Sequence, residues 1–226
     1  MSLFAIADLH LSLSSDKPMD VFPGWDDYVA KLENNWRLVV KNEDTVVLPG
    51  DISWAMSLSE TAADFAFISE LTGRKIILKG NHDYWWTTLR KMNEFLRASG
   101  FDSISFVHNS ACAVGGIAVC GTRGWFYDTG SDKKVLLREA GRLESSIKEA
   151  EKTGLEPVVF LHYPPIYGDF VCDEIMEVLV RHKIRRCYYG HLHGRAAAYA
   201  VQGEREGIRF RLVSADHLKF LPEIID

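Results

Sequence analysis

Five short polar clusters carry the chemistry of this sequence: Asp8-Leu9-His10, Gly50-Asp51, Gly80-Asn81-His82-Asp83, His162, and Gly190-His191-Leu192-His193. Asp8, His10, Asp51, Asn81, His162, His191 and His193 offer carboxylate, amide and imidazole donors, with no thiolate among them. Such a set suits Mn²⁺, Fe or Zn²⁺ better than a soft metal. Seven ligands are too many for one ion with open positions and right for two, provided one carboxylate bridges. Asp8 and His10 lie two residues apart, as do His191 and His193, so each pair can straddle a dinuclear centre. His82 is left over. One such residue after a strand is ordinarily a turn or cap residue, and Gly-Asn is a turn signal in its own right. The metal reading rests on five turns agreeing in residue type.

Each cluster closes an apolar run. Residues 2–7, 45–48, 75–78, 158–161 and 187–189 read as buried strands. Amphipathic spacing predicts helices over 25–40, from the Ser57/Glu60 capping box to about 71, through Leu89–Leu96, through Leu136–Ala150, and around Ile175–Val180. Ala111–Val114 and Ile117–Cys120 flank Gly115-Gly116 as a hairpin, and Ile208–Val213 is a late strand. The Asp51–Asn81 and His162–His191 spacings each suit one βαβ unit. Ligands in open α/β sheets bind off the carboxyl ends of the strands, so five strand ends point at one place. Gly50, Gly80 and Gly190 allow the backbone to turn sharply there. No linker interrupts the pattern, and one domain over 1–226 is expected.

The 226 residues include 47% hydrophobic and 25% charged side chains, an ordinary globular mix. With 26 Lys plus Arg against 31 Asp plus Glu, the net charge of −5 argues against a protein that coats nucleic acid or anionic lipid. No apolar stretch approaches a membrane span, and the first residues do not resemble a signal peptide. Cys112, Cys120, Cys172 and Cys187 have no metal-type spacing, for which a reduced, cytoplasmic compartment is the simplest reading. Oligomeric state is not determined by the sequence.

The ordered set Asp-x-His, Gly-Asp, Gly-Asn-His-Asp, a lone His after a strand, and Gly-His-x-His resembles the calcineurin-like metallophosphoesterase family over most of the chain. The resemblance implies an α/β fold: a four-layer αββα sandwich of two mixed β-sheets with outer helices. It implies that Asp8, His10 and His193 hold one metal, that Asn81, His162 and His191 hold a second, and that Asp51 bridges them. His82 matches the histidine that protonates the leaving oxygen, and Asp83 the acid that orients it. Tyr163-Pro164-Pro165 also resembles the family's usual sequence after the lone histidine. The implied reaction is hydrolysis of a phosphomonoester or phosphodiester by a hydroxide bridging two divalent ions, with no membrane and no nucleic-acid partner indicated. Alternatives within the class are a nucleotide or cyclic-nucleotide phosphodiesterase or a nuclease. Bacterial lipid-precursor pyrophosphohydrolases share the Asp-Leu-His-Leu start but usually carry Arg where this chain has His82. Outside the class stands a non-catalytic metal-binding scaffold of the same fold.

Several residues keep two readings. Arg123 in Gly121-Thr122-Arg123-Gly124 is a phosphate clamp or a surface arginine in a glycine turn. Trp54 and Tyr84-Trp85-Trp86 line a pocket for an organic group or pack outer helices onto the sheet. His108 reads as structural, His182 as part of a helix C-terminal turn, and His217 has no assigned role. Stretches 11–24 and 123–135 are the candidate loops over the site.

Overall fold

The computed structural model describes residues 1–125 and 133–225. In chain order the elements are β1 (Leu3–Ala5), α1 (Tyr28–Val39), β2 (Thr45–Pro49), α2 (Ala62–Glu70), β3 (Arg74–Leu78), α3 (Leu89–Ser99), β4 (Ile104–Phe106), β5 (Cys112–Val114) and β6 (Ile117–Thr122). They continue with α4 (Lys133–Glu151), β7 (Glu156–Leu161), β8 (Ile166–Tyr167), β9 (Phe170–Val171), α5 (Asp173–Arg181), β10 (Arg186–Tyr189), β11 (Gly203–Arg205), β12 (Ile208–Leu212) and β13 (Glu223–Ile224).

Two mixed sheets result. The first has the order β13-β1-β2-β3-β4, parallel except for β13. The second has the order β11-β12-β10-β7-β6-β5, with antiparallel strands at both edges. The two-residue period of a strand assigns each side chain to a layer. Leu3, Ala5, Val47, Ile76 and Leu78 of the first sheet meet Val119, Val158, Phe160 and Tyr188 of the second in a core between the sheets. Phe4, Val46, Leu48 and Ile77 point outward, onto Leu32 and Trp36 of α1, Phe65 of α2 and Met92 of α3. Cys120, Val159, Leu161, Cys187 and Tyr189 point the other way, onto Leu143 of α4 and Leu179 of α5. Three cores separated by two sheets make a four-layer αββα sandwich.

The local departures from expectation have physical causes. Helix α1 begins at Tyr28 rather than at residue 25, because Asp27 adopts a left-handed φ of 50°. That break frees Trp25 from the helix. Only half of the capping box forms: Glu60 accepts the N–H groups of Met56 and Ser57, while the Ser57 hydroxyl pairs with that of Ser59. The hairpin at Gly115-Gly116 forms as expected, with Val114 opposite Ile117. Strands β4, β8, β9, β11 and β13 are two or three residues long, too short to show a period. Among the described residues no helix is long and apolar enough to cross a membrane, and the four cysteines are free.

The turns after β2 and β3 are packed backbone to backbone. A Cβ on Gly50 would lie 2.6 Å from Gly80 Cα and 2.8 Å from His162 Nδ1, and one on Gly80 would overlap Asp51 N and Oδ1. A side chain at position 80 therefore drives apart the two turns that carry Asp51 and Asn81. Gly80→Ala is expected to lower stability by about 1–3 kcal/mol, the usual cost of overpacking, and to weaken divalent-metal binding. Urea denaturation and metal analysis of the purified variant check both.

Candidate metal centre

The five clusters meet at one edge of the sandwich, where β1, β2 and β3 of the first sheet end beside β7 and β10 of the second. The chain turns abruptly at each exit. Asp8, His10, Asp51 and His191 take φ values of 61°, 45°, 53° and 74°. Such left-handed backbone costs about 1–3 kcal/mol per non-glycine residue and collects at functional sites. Backbone hydrogen bonds hold the turns: Asp8 N–H donates to Gly50 O at 2.9 Å and His10 N–H to Asp51 O at 2.9 Å. Gly190 N–H donates to His162 O at 3.1 Å, and the N–H groups of His162 and Tyr163 both donate to Arg123 O.

Each buried carboxylate has one oxygen fixed by backbone and one facing the other donors. Asp8 Oδ2 accepts the His191 N–H at 2.9 Å, while Asp8 Oδ1 accepts no hydrogen bond among the described residues. Asp51 Oδ1 accepts the His82 N–H at 2.7 Å. Asp51 Oδ2 lies 3.8 Å from His10 Nε2 and 3.5 Å from His162 Nε2. The imidazoles are oriented the same way. His162 Nδ1 faces the Pro49 carbonyl at 3.2 Å. A carbonyl can only accept, so the proton sits there, and Nε2 turns inward to Asn81 Oδ1 at 2.5 Å. His193 donates from Nδ1 to Asp216 at 2.9 Å, which leaves Nε2 to face His10 Nε2 at 3.4 Å and Asp8 Oδ1 at 3.8 Å. His191 Nδ1 lies 3.0 Å from Asn81 Oδ1 and 3.3 Å from His162 Nε2.

Two overlapping groups thus have ligand atoms within 4.8 Å of one another: Asp8, His10 and His193, and Asp8, Asp51 and His162. Asn81 and His191 lie beside His162 of the second. Electron pairs converge here, and a buried orphan oxygen lies among them. That chemistry fits a pair of divalent cations.

The electrostatics agree. Burial pushes the Asp8 carboxyl up to about 7, the charge of Asp51 adding to it and that of His193 opposing it. Burial likewise pushes Asp51 up to about 6. Burial also drives His162 and His191 down to about 3 and holds His10 well below the usual histidine range, so these imidazoles are neutral and able to ligate. For His193 burial lowers the value, but the Asp216 hydrogen bond and the Asp8 and Asp51 carboxylates outweigh it and raise the ring to about 9. Burial thus raises the carboxyls, whereas the Asp216, Asp8 and Asp51 carboxylates raise the His193 ring against its own burial.

The surrounding residues correct two readings. Asp83 does not touch the His82 ring. Its carboxylate accepts N–H bonds from Asp51 at 2.9 Å, Ile52 at 2.8 Å, Gly80 at 2.7 Å and the Trp85 indole at 3.0 Å. It clamps the turn beneath Asp51, and the nearest polar partner of His82 Nδ1 is the Tyr84 hydroxyl at 3.4 Å. Arg123 pairs with buried Glu139 at 3.4 Å and lies over the Trp125 ring; it faces a small cleft shared with Lys79, His108 and Arg142. Trp85 and Trp86 pack in the outer core with Phe106. His182 is held by Glu151 and Glu144.

Trp54 lines a cavity of about 740 Å³ with His10, His82, His193, Met19, Phe22, Pro23, Trp25 and Arg195. The loop expected over the site at 11–24 supplies part of its wall. Of the second expected loop, 123–135, residues 126–132, with Gly130 and Ser131, lie outside the described residues. Sequence reasoning missed Asp216, Met19, Phe22 and Trp25. Asp216 had a signal, since it follows β12 at the same sheet edge, and Met19 and Phe22 lie in the expected 11–24 loop; Trp25 had none.

No curated protein matches the chain. A protein of unknown function from Aquifex aeolicus is 16% identical, with 99% of this chain and 95% of that one covered and a TM-score of 0.53. The phosphopantetheinyl hydrolase of Mycobacterium tuberculosis is 15% identical, with the same coverage and TM-score. A Thermus thermophilus protein is 16% identical over 91% of this chain and 89% of that one, with a TM-score of 0.54. At these identities the likeness is one of fold. The family model for calcineurin-like phosphoesterases matches residues 1–195, and the chain belongs to that family.

Proposed function

We propose that the protein is a metal-dependent phosphohydrolase that cleaves a phosphomonoester or phosphodiester. The observation that carries this reading is the pairing of roles in each carboxylate, one oxygen fixed by backbone and the other turned toward imidazoles. Two divalent ions, Mn²⁺, Fe or Zn²⁺, would be held by Asp8, His10 and His193 on one side and by Asn81, His162 and His191 on the other, with Asp51 shared. When bound, such a pair supplies positive charge for the phosphoryl oxygens and a water acidified enough to act as hydroxide at neutral pH.

The remaining work belongs to the protein. Asp51 ties the metal side to the acid, because its Oδ1 holds the His82 backbone. His82 stands in the cavity wall, half-buried, its ring 4.5 Å from Trp54 and 5.8 Å from His10. From there its imidazole would hand a proton to the departing oxygen, help worth about 10²–10⁴-fold. Asp83 is a positioning residue in this scheme. It holds the Asp51 turn, and through that turn the shared ligand.

The roles separate experimentally. Asp51→Asn is expected to lose bound metal and hydrolysis of p-nitrophenyl phosphate or its bis ester together. His82→Ala should keep both ions and lose about 10²–10⁴-fold in rate; metal loss in that variant contradicts the division. Chelator should abolish the activity and Mn²⁺ restore it. A wild-type chain that binds two ions and turns over neither ester would point to a scaffold or a very selective enzyme. Asp83→Asn puts an amide N–H₂ among N–H donors. It is expected to cost about 1–3 kcal/mol for each donor left without an acceptor, read as an earlier urea midpoint in the metal-free chain. An unchanged midpoint with reduced activity would return Asp83 to orienting His82.

A further inference from the structure

The cavity beside the metal centre is far larger than phosphate needs. Its volume, about 740 Å³, falls within the range of sites that enclose whole organic ligands. Three of its lining residues, His10, His82 and His193, belong to the cluster, so the space opens directly from the metal side. Much of the rest is apolar: Met19, Phe22, Pro23, Trp25 and Trp54. Arg195 is the one Lys or Arg in the lining among the described residues, and Lys17 lies over the Trp54 ring at 5.6 Å. A polyanionic strand would need a row of cations instead.

The apolar wall is built, not incidental. Asp64, buried in α2, accepts the Leu13 N–H at 2.8 Å and the Ser53 hydroxyl, so one carboxylate fixes both the start of the 11–24 loop and the residue before Trp54. Leu11 bridges to Ser53. The Trp54 indole N–H points to Met19 Sδ at 3.3 Å. Trp54 stacks on His10 at 5.0 Å and 23°, and Trp25 packs edge-on to His10 and His193, each at 5.8 Å. Phe22, which also lines the cavity, remains 52% exposed.

Resting on the hydrolase reading, we propose that this cavity is the subsite for the leaving group. The substrate is then a phosphoester of an apolar alcohol, aromatic or alkyl, rather than of a sugar, a polar peptide or a nucleic acid. His82 stands against Trp54, so the group in the cavity is the one bonded to the oxygen that His82 would protonate. The hydrolysis balances with water alone. Its OH joins phosphorus, the bond from phosphorus to the ester oxygen breaks, and that oxygen takes a proton to leave as the alcohol.

Two matched probe pairs test this on the Mn²⁺-loaded protein. Binding of 1-naphthylphosphonate and methylphosphonate is measured by calorimetry, and turnover of 1-naphthyl and methyl phosphate by phosphate release. The naphthyl member should bind at least tenfold more tightly, as burial of a bicyclic ring predicts. It should also show the higher kcat/KM. Phe22→Ser and Trp54→Ala should each reduce the naphthyl-to-methyl ratio several-fold. Phe22 is exposed enough that its variant keeps the test valid if Trp54→Ala fails to fold. Turnover without naphthyl preference, or a ratio that neither variant moves, overturns the subsite and leaves the hydrolase reading. Naphthyl preference in binding with no turnover of either ester overturns the hydrolase reading and leaves the subsite. Neither binding nor turnover overturns both.

Discussion

Asp8 and Asp51 sit buried at the seam of two sheets, each with one oxygen turned toward the imidazoles, and Asp8 Oδ1 accepts no hydrogen bond among the described residues. Their ligand atoms fall within 4.8 Å of each other, a distance at which two unit charges repel by about 3 kcal/mol at an effective dielectric near 20. The surrounding structure answers this one interaction. Backbone N–H groups of His82 and His191 hold the outer oxygens. Asp216 and the Pro49 carbonyl turn His193 and His162 so that their Nε2 atoms face inward. These contacts orient the pair, and a divalent ion would supply the charge to neutralise it.

The backbone accepts strain for the same end. Four of the ten non-glycine residues with positive φ among the described residues are proposed ligands. Continuing as ordinary strand, each chain would carry its side chain past the edge of the sheet. Turning left-handed at once brings the side chain back over the strand end. Asp83 belongs to this apparatus: four of its donors come from the turns that carry Asp51 and Asn81 and from the Trp85 packed under them.

Most of the architecture could be read from the chain. Apolar runs at 45–48, 75–78 and 158–161 are buried on both faces, so they stand out without alternation, and their order with the helices implies parallel pairing. The convergence of Asp8, His10, Asp51, Asn81, His162, His191 and His193 was legible because each follows such a run. The remainder depends on contacts between distant segments. Trp25 fits a helical stripe in sequence, yet a left-handed Asp27 places it in the cavity wall. Asp83 neighbours His82 along the chain, but five nearby N–H groups claim its carboxylate. Arg123 lies after a strand like the ligands do, and buried Glu139 on α4 draws it aside. Position in the chain names the strand end; only the fold decides which way a long side chain turns.

The hydrogen bond from His191 to Asp8 spans 183 residues and crosses from one sheet to the other. The proposed ligands are divided in the same way, Asp8, His10, Asp51 and Asn81 following strands of the first sheet, His162, His191 and His193 strands of the second. Ion uptake would therefore rivet the two halves of the sandwich at their open end. A species that binds only the native arrangement stabilises it by mass action, so metal supply would set how firmly those halves stay shut as well as whether the centre reacts.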